Sequence, residues 1–125
     1  MTQEDKQLLL KDLSARLPYY PKCEMIDKLR VINNEPSYSY TEYLFPRHLE
    51  LFYFHNNFII KPYLRPMSSM TEEEKIDYQA FFNYDGVEYP EEYIDWLNAH
   101  HFDYRGLIEK GLAISVSEYN NPYKE

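Results

Sequence analysis

Pro46-Arg47-His48-Leu49-Glu50-Leu51-Phe52-Tyr53-Phe54-His55-Asn56-Asn57-Phe58-Ile59-Ile60-Lys61-Pro62 holds two bulky runs divided by a polar break. Leu49, Leu51 and Tyr53 alternate against Glu50, Phe52 and Phe54, the period-2 pattern of a strand. His55-Asn56-Asn57 reads as a tight turn, because Asn tolerates positive φ better than most residues. Phe58-Ile59-Ile60 is then the return strand, which Pro62 closes by removing a donor. Read this way, the centre of the chain is a β-hairpin.

The residues before it extend the sheet. Ser37-Tyr38-Ser39-Tyr40-Thr41 alternates, tyrosines on one face and hydroxyls on the other. Lys22-Cys23-Glu24-Met25-Ile26 and Leu29-Arg30-Val31-Ile32 are short β-leaning runs parted by Asp27-Lys28, which predicts a hairpin. Asn33-Asn34-Glu35-Pro36 is turn chemistry. Residues 22–61 are therefore expected to form a four- to five-stranded antiparallel meander, open or curled into a small barrel.

Helices flank it. Thr2 caps a helix over residues 1–18, with Leu9, Leu13 and Leu17 at helical spacing, Lys6, Lys11 and Arg16 mostly elsewhere, and Pro18 as its stop. After the sheet, residues 62–70 carry two prolines and read as a stiff extended connector docked through Tyr63, Leu64 and Met67. Thr71-Glu72-Glu73-Glu74 is a capping box that starts a helix with Ile76, Ala80 and Phe81 inward, and Asn83-Tyr84-Asp85-Gly86 ends it. Pro90 opens the next helix, with Glu91 and Glu92 at its positive end. Tyr93, Ile94, Leu97 and His101 share its stripe. Asp103 caps a short final helix that Gly111 ends, so residues 71–111 give two or three helices. Residues 113–116 are a further strand candidate, and 117–125 a frayed tail. The expected class is a single α+β domain over residues 1–125.

Composition narrows the function. Fourteen Tyr and seven Phe in 125 residues exclude disorder for most of the chain. The single cysteine, Cys23, allows no internal disulfide, the N-terminal residues lack a signal-peptide pattern, and no run reaches the eighteen or so apolar residues of a membrane span. A cytoplasmic, non-membrane protein is expected. The net charge of −8 sits entirely in residues 71–95, which hold nine acids and one base. That balance disfavours nucleic acid as a partner, since phosphates require a positive footprint.

Candidate chemistry is sparse. His100, His101 and Asp103 form the one metal-like cluster, but adjacent helical residues point about 100° apart, so one ion would not take both rings. The same trio with Ser68, Ser69 or Cys23 suggests a small hydrolase, yet no nucleophile elbow or phosphate loop fixes such a geometry. No catalytic, metal or cofactor site is assigned, and three glycines leave a cofactor's phosphates little backbone to approach. The structural reading is preferred: His100 and His101 close a helix, Trp96 anchors the core, Asp103 caps, and Arg105 pairs with Asp95 or the neighbouring acids.

The runs at 8–19, 61–74 and 95–113 resemble a family of short uncharacterised proteins from gut Bacteroides-type bacteria and the phages and mobile elements they carry. The strand region resembles it poorly. The resemblance implies an intracellular accessory protein and carries no activity, cofactor or catalytic residue. The leading expectation is thus a non-enzymatic protein-binding module with an acidic, aromatic face made of Tyr78, Phe82, Tyr84, Asp85, Glu88, Tyr89, Glu92 and Tyr93. Its partner is unspecified but basic, because aromatics anchor and a single-sign field steers. One form of this is a mimic of nucleic-acid charge. The alternative is a single-stranded nucleic-acid binder stacking bases on the Tyr-rich sheet at 37–54. The sequence sets no oligomeric state.

Overall fold

The computed structural model describes residues 1–28, 38–83, 86–87 and 89–124. Helix α1 spans Gln3–Arg16. The Thr2 hydroxyl accepts from the Asp5 backbone N–H at 3.0 Å, and the Asp5 carboxylate accepts from that of Thr2 at 3.4 Å. This reciprocal cap satisfies two donors that the first turn leaves open. The inward face is Leu9, Asp12, Leu13 and Arg16, all fully buried. The leucine spacing thus located the helix correctly, but Arg16, expected on the outer face, lies inside.

Strand β1 (Lys22–Asp27) is flanked by β2 (Tyr38–Tyr43) and β3 (Phe58–Pro66), both antiparallel to it. The expected hairpin partner Leu29–Ile32 and the turn at 33–36 lie outside the described residues. Residues Leu49–Phe54, expected as a strand after an interruption at Pro46, belong to helix α2 (Pro46–Phe54). The run from 46 to 54 contains no β-branched residue, and a Pro at the first helical position has its φ already set. With bulky side chains at nearly every position, period 2 and period 3.6 fit equally well. Burial decides: His48 and Phe52, four apart, turn inward together.

Strand β3 also runs past its expected end. Pro62 lies within it and Pro66 at its close, so the supposed connector at 62–66 belongs to the sheet. Pro62 is tolerated because it sits where the ladder with β1 ends and before the ladders with the later strands begin. Pairing with β1 ends at Cys23 opposite Pro62, and pairing with the later strands begins at Tyr63 and Arg65. A missing N–H costs little where one ladder stops and the next starts. The partners beyond this point are β6 (Phe102–Asp103) and β7 (Ile114–Ser115), both parallel to β3. The sheet is therefore mixed rather than antiparallel, with five strands in the order β2-β1-β3-β6 and β7 also on β3, and it does not close into a barrel.

Two further helices, α3 (Glu72–Gln79) and α4 (Pro90–Ala99), are joined by a small hairpin of β4 (Phe82–Asn83) and β5 (Gly86–Val87). Gly86, at φ +118°, occupies a backbone region closed to other residues. No third helix forms after Asp103: residues 107–110 make a single turn that ends at Gly111. The cap is real, since both Asp103 oxygens accept, from the Leu107 N–H at 2.9 Å and the Ile108 N–H at 3.0 Å. One turn is too short to repay helix nucleation, so it stays a capped turn.

The core lies between α1, α2 and one face of the sheet: Leu9, Leu13, Cys23, Met25, Phe52, Ile60 and Leu64, closed by Leu107 and Leu112. Each large aliphatic side chain buried there contributes roughly 1.5–3 kcal/mol. The C-terminal segment is not frayed, as expected, but docked. The Tyr123 hydroxyl donates to the Tyr63 carbonyl and accepts from the Lys22 N–H, both at 2.9 Å, and its ring stacks on His101 at 4.1 Å.

Candidate functional site

The acidic segment becomes a two-helix unit held together by aromatic rings. Tyr78 lies 4.9 Å from Phe82, 5.7 Å from Tyr93 and 6.4 Å from Trp96, centroid to centroid. Phe81 meets Tyr93 at 5.8 Å and Trp96 at 6.1 Å. The Tyr93 phenol is pushed up to about 12 by burial and by its hydrogen bond with Tyr78. Of the residues expected on this face, Tyr78, Phe82 and Tyr93 converge, and Tyr89 and Glu92 stand exposed beside them. Tyr84, Asp85 and Glu88 lie outside the described residues.

One unexpected side chain joins the surface. Ile76, assigned inward by its spacing, is 69% exposed, and Tyr89 is 59% exposed. Ala80 is exposed too, while Tyr78 and Phe81 take the packed positions. With eight residues, α3 has two turns, and rings outcompete smaller side chains for the single buried stripe. The same two-helix unit exposes the carboxylates of Glu72, Glu73, Asp77, Glu91, Glu92 and Asp95. The one base, Lys75, leans toward Glu72 at 3.3 Å.

This unit is strapped to the sheet by Glu74. Its carboxylate takes both Arg65 guanidinium nitrogens, at 2.6 and 2.7 Å, and also accepts from the Thr71 N–H at 2.9 Å. Arg65 lies over the Phe102 ring, 4.3 Å from its centroid. These Arg65 hydrogen bonds hold the Glu74 carboxyl down at about 2, well below its ordinary value.

Arg105 does not pair with Asp95 or any described acid of 71–95. Its Nη1 donates to Asp12 Oδ1 in α1 at 2.7 Å, while desolvation, then the Asp95 carboxylate beside it, raises the pKa of the Tyr19 phenol. Asp12 also accepts from Arg16 Nε at 2.7 Å, and Arg16 Nη2 donates to the Phe102 carbonyl at 2.7 Å. Tyr104, flanked by both guanidiniums at 5.1 and 4.6 Å, donates to Asn98 at 2.8 Å. A buried polar chain thus ties α1 to α4. Its long sequence separation, across residues with no shared motif, hid it from sequence reading.

The histidines take separate structural tasks. His100 donates from Nδ1 to the Trp96 carbonyl at 2.9 Å, as expected of a helix-closing side chain. His101 has φ +62°, stacks on Tyr123, and burial, then Arg16, lowers it to about 4. His48 accepts from the Phe45 N–H at 2.9 Å on one ring nitrogen and faces Glu42 at 3.2 Å on the other. Cys23 is buried, which pushes its thiol up. Among the described residues, no three His, Cys, Asp or Glu side chains gather as metal ligands.

The chain matches no family model, no curated protein and no solved structure. Among the described residues no helix is long and apolar enough to cross a membrane. The tyrosines of 37–54 are divided between elements: Tyr40 packs against the core, Tyr43 lies under the Lys22 ammonium, and Tyr53 belongs to α2.

Proposed function

We propose that the protein is a non-enzymatic interaction module of the bacterial or phage cytoplasm, and that the α3–hairpin–α4 unit is its docking surface for a basic protein. The observation that carries this reading is that one two-helix unit exposes both Ile76 and Tyr89 and six carboxylates, with its one described base, Lys75, already facing Glu72. Apolar anchors surrounded by one sign of charge give affinity at the centre and steering at the rim. The aromatic stack beneath the surface keeps it rigid, which lowers the ordering cost of binding. The non-enzymatic part rests on the engagement of the groups able to do chemistry: Asp103, His48, His100 and Cys23 are each committed to backbone contacts or burial. The bacterial and phage setting rests on the resemblance of 8–19, 61–74 and 95–113 alone.

The test is capture from a Bacteroides-type lysate with immobilised protein, at low salt and again at roughly 0.5 M salt, where the screening length falls to a few ångströms. A basic protein retained at low salt, released at high salt and lost with Ile76→Asp plus Tyr89→Ala is the expected result. Capture that both changes leave intact places the docking surface elsewhere.

A further inference from the structure

Helix α2 begins without a side-chain oxygen to cap it. Its N-cap is Phe45, and Pro46 follows with no N–H. The third helical residue, His48, closes the turn with its ring instead. The Phe45 N–H donates to His48 Nδ1 at 2.9 Å, and the His48 N–H donates to the Phe45 carbonyl at 3.0 Å. The other ring nitrogen, Nε2, lies 3.2 Å from Glu42 Oε2 on β2. A Glu or Gln ordinarily makes this reciprocal closure, whereas a histidine makes it only while one ring nitrogen is bare.

Together these contacts admit one tautomer. The Phe45 N–H requires a bare Nδ1, so the ring's proton is on Nε2, facing the carboxylate. A second proton has only Nδ1 to occupy, where it meets the Phe45 N–H donor to donor. The side chain is 1% exposed, so neither donor can turn to water in place. Charges around the ring do not compensate. Glu42 favours an imidazolium, but its Oε1 already accepts from Arg47 Nη2 at 2.7 Å, and Arg47 opposes a further cation. β3 presents the Phe58 ring, parallel at 6.4 Å, and α1 brings the Lys6 ammonium over Phe52, one turn on, at 5.3 Å. His55 stands exposed past the far end of α2.

We infer that His48 is a proton-operated fastener: its neutral ring holds the start of α2 to β2, and protonation at Nδ1 releases it. Burial lowers the ring from its ordinary 6.5, more than Glu42 raises it. The fastening is thus complete above pH 6.5 and is lost as pH falls through the lowered value. With nine residues, α2 depends on its cap and its packing rather than on its own length. Loosening it uncovers Phe52, buried on its inner face, and Phe58, whose ring lies parallel to His48. Acid therefore opens an apolar surface that neutral pH keeps closed.

Residue-resolved hydrogen exchange and ring nitrogen spectra, followed from about pH 7.5 to about pH 4.5, test this across the range in which histidine titrates. At the neutral end the His48 proton is expected on Nε2. As the ring gains its second proton, protection at Phe45 and residues 49–54, corrected for intrinsic exchange, is expected to fall at least about tenfold. Protection of Met25 in β1 is expected to hold, which separates a local release from general unfolding. His48→Gln can accept from the Phe45 N–H and donate to Glu42 without titrating, so its protection is expected to stay level. Should that variant fold poorly, Glu42→Gln carries the test, since removing the carboxylate is expected to move the fall to lower pH. His101→Asn is expected to leave the fall in place. The inference is overturned if His48 charges while the Phe45 amide stays protected, or if the fall persists in His48→Gln. A midpoint unmoved by Glu42→Gln, or a fall abolished by His101→Asn, overturns it too. The lysate capture uses another surface, so either reading can fail alone.

Discussion

Arg105 reaches back 93 positions to Asp12, its Nη1 2.7 Å from the carboxylate Oδ1. Arg16 occupies the other oxygen of the same carboxylate, so one buried acid neutralises two cations from opposite ends of the chain. Removing the acid strands both. Asp12→Ala is expected to cost ~3–5 kcal/mol, the range for breaking a buried pair on one side. Arg105→Ala, which leaves Asp12 its Arg16 bond, is expected to cost about 1.5–3 kcal/mol, and exposed Lys110→Ala under about 0.5. Urea unfolding of the three variants gives the order; equal midpoints for Asp12→Ala and Lys110→Ala would refute it.

Two residues set two pH windows. Glu74 has a carboxyl held at about 2 against an ordinary 4.5, so its stabilisation is complete above pH 4.5 and lost as pH falls through 2. His101 has a ring lowered to about 4 against an ordinary 6.5, so folding excludes its charged form. Stability is then full above pH 6.5 and declines as pH drops toward 4. Each contribution is on the order of 1 kcal/mol after allowance for solvent screening. Melting temperatures followed from pH 7 to pH 2 are expected to fall in both windows. Glu74→Gln flattens the lower one. His101→Asn, a residue that accepts positive φ, flattens the upper. A wild-type profile flat between pH 6.5 and 4.5 would contradict the part assigned to His101.

Tyr123 fastens the C-terminal segment. Tyr123→Phe keeps the ring on His101 but leaves the Tyr63 carbonyl and Lys22 N–H without their phenol, a loss of roughly 1–3 kcal/mol. Hydrogen exchange at residues 114–123 is expected to quicken with it. Unaltered protection there would mean that the hydroxyl bonds add nothing to docking.

What sequence reading could reach depended on how local the cause was. Thr71 and Glu74 announce α3 because the cap is complete within four residues. Pro90 likewise acts on its neighbours and opens α4 as expected, and Asp103 caps as expected, though a turn rather than a helix, while α3 ends at Gln79, before Asn83–Gly86. Pro46–Phe54 was ambiguous in principle, since bulky residues at almost every position satisfy both periods and only packing against α1 selects one. Pro62 misled for a different reason: a proline forbids a ladder bond, but not a position where one ladder ends and the next begins. Arg16 and Asp12 could not be seen as inward, because nothing near them in sequence indicates the Phe102 carbonyl and Arg105 that receive them. On the acidic face, charge and aromatic content were legible at once, whereas the exposure of Ile76 depended on which rings won the buried stripe.

Strand β3 has a consequence for the order in which the molecule assembles. It is complete by residue 66, yet two of its three neighbours come from residues 102–103 and 114–115. Until those residues have been synthesised, Arg16 lacks the carbonyl of Phe102 and Asp12 lacks Arg105, so α1 cannot settle its charges against the sheet. A ribosome-bound chain of a hundred residues therefore holds most of the core side chains but lacks Phe102, Leu107, Leu112 and Ala113, which complete it. Closing loops of 86 to 101 residues is slow relative to helix formation, so final assembly waits for the C-terminal quarter and then proceeds in one step.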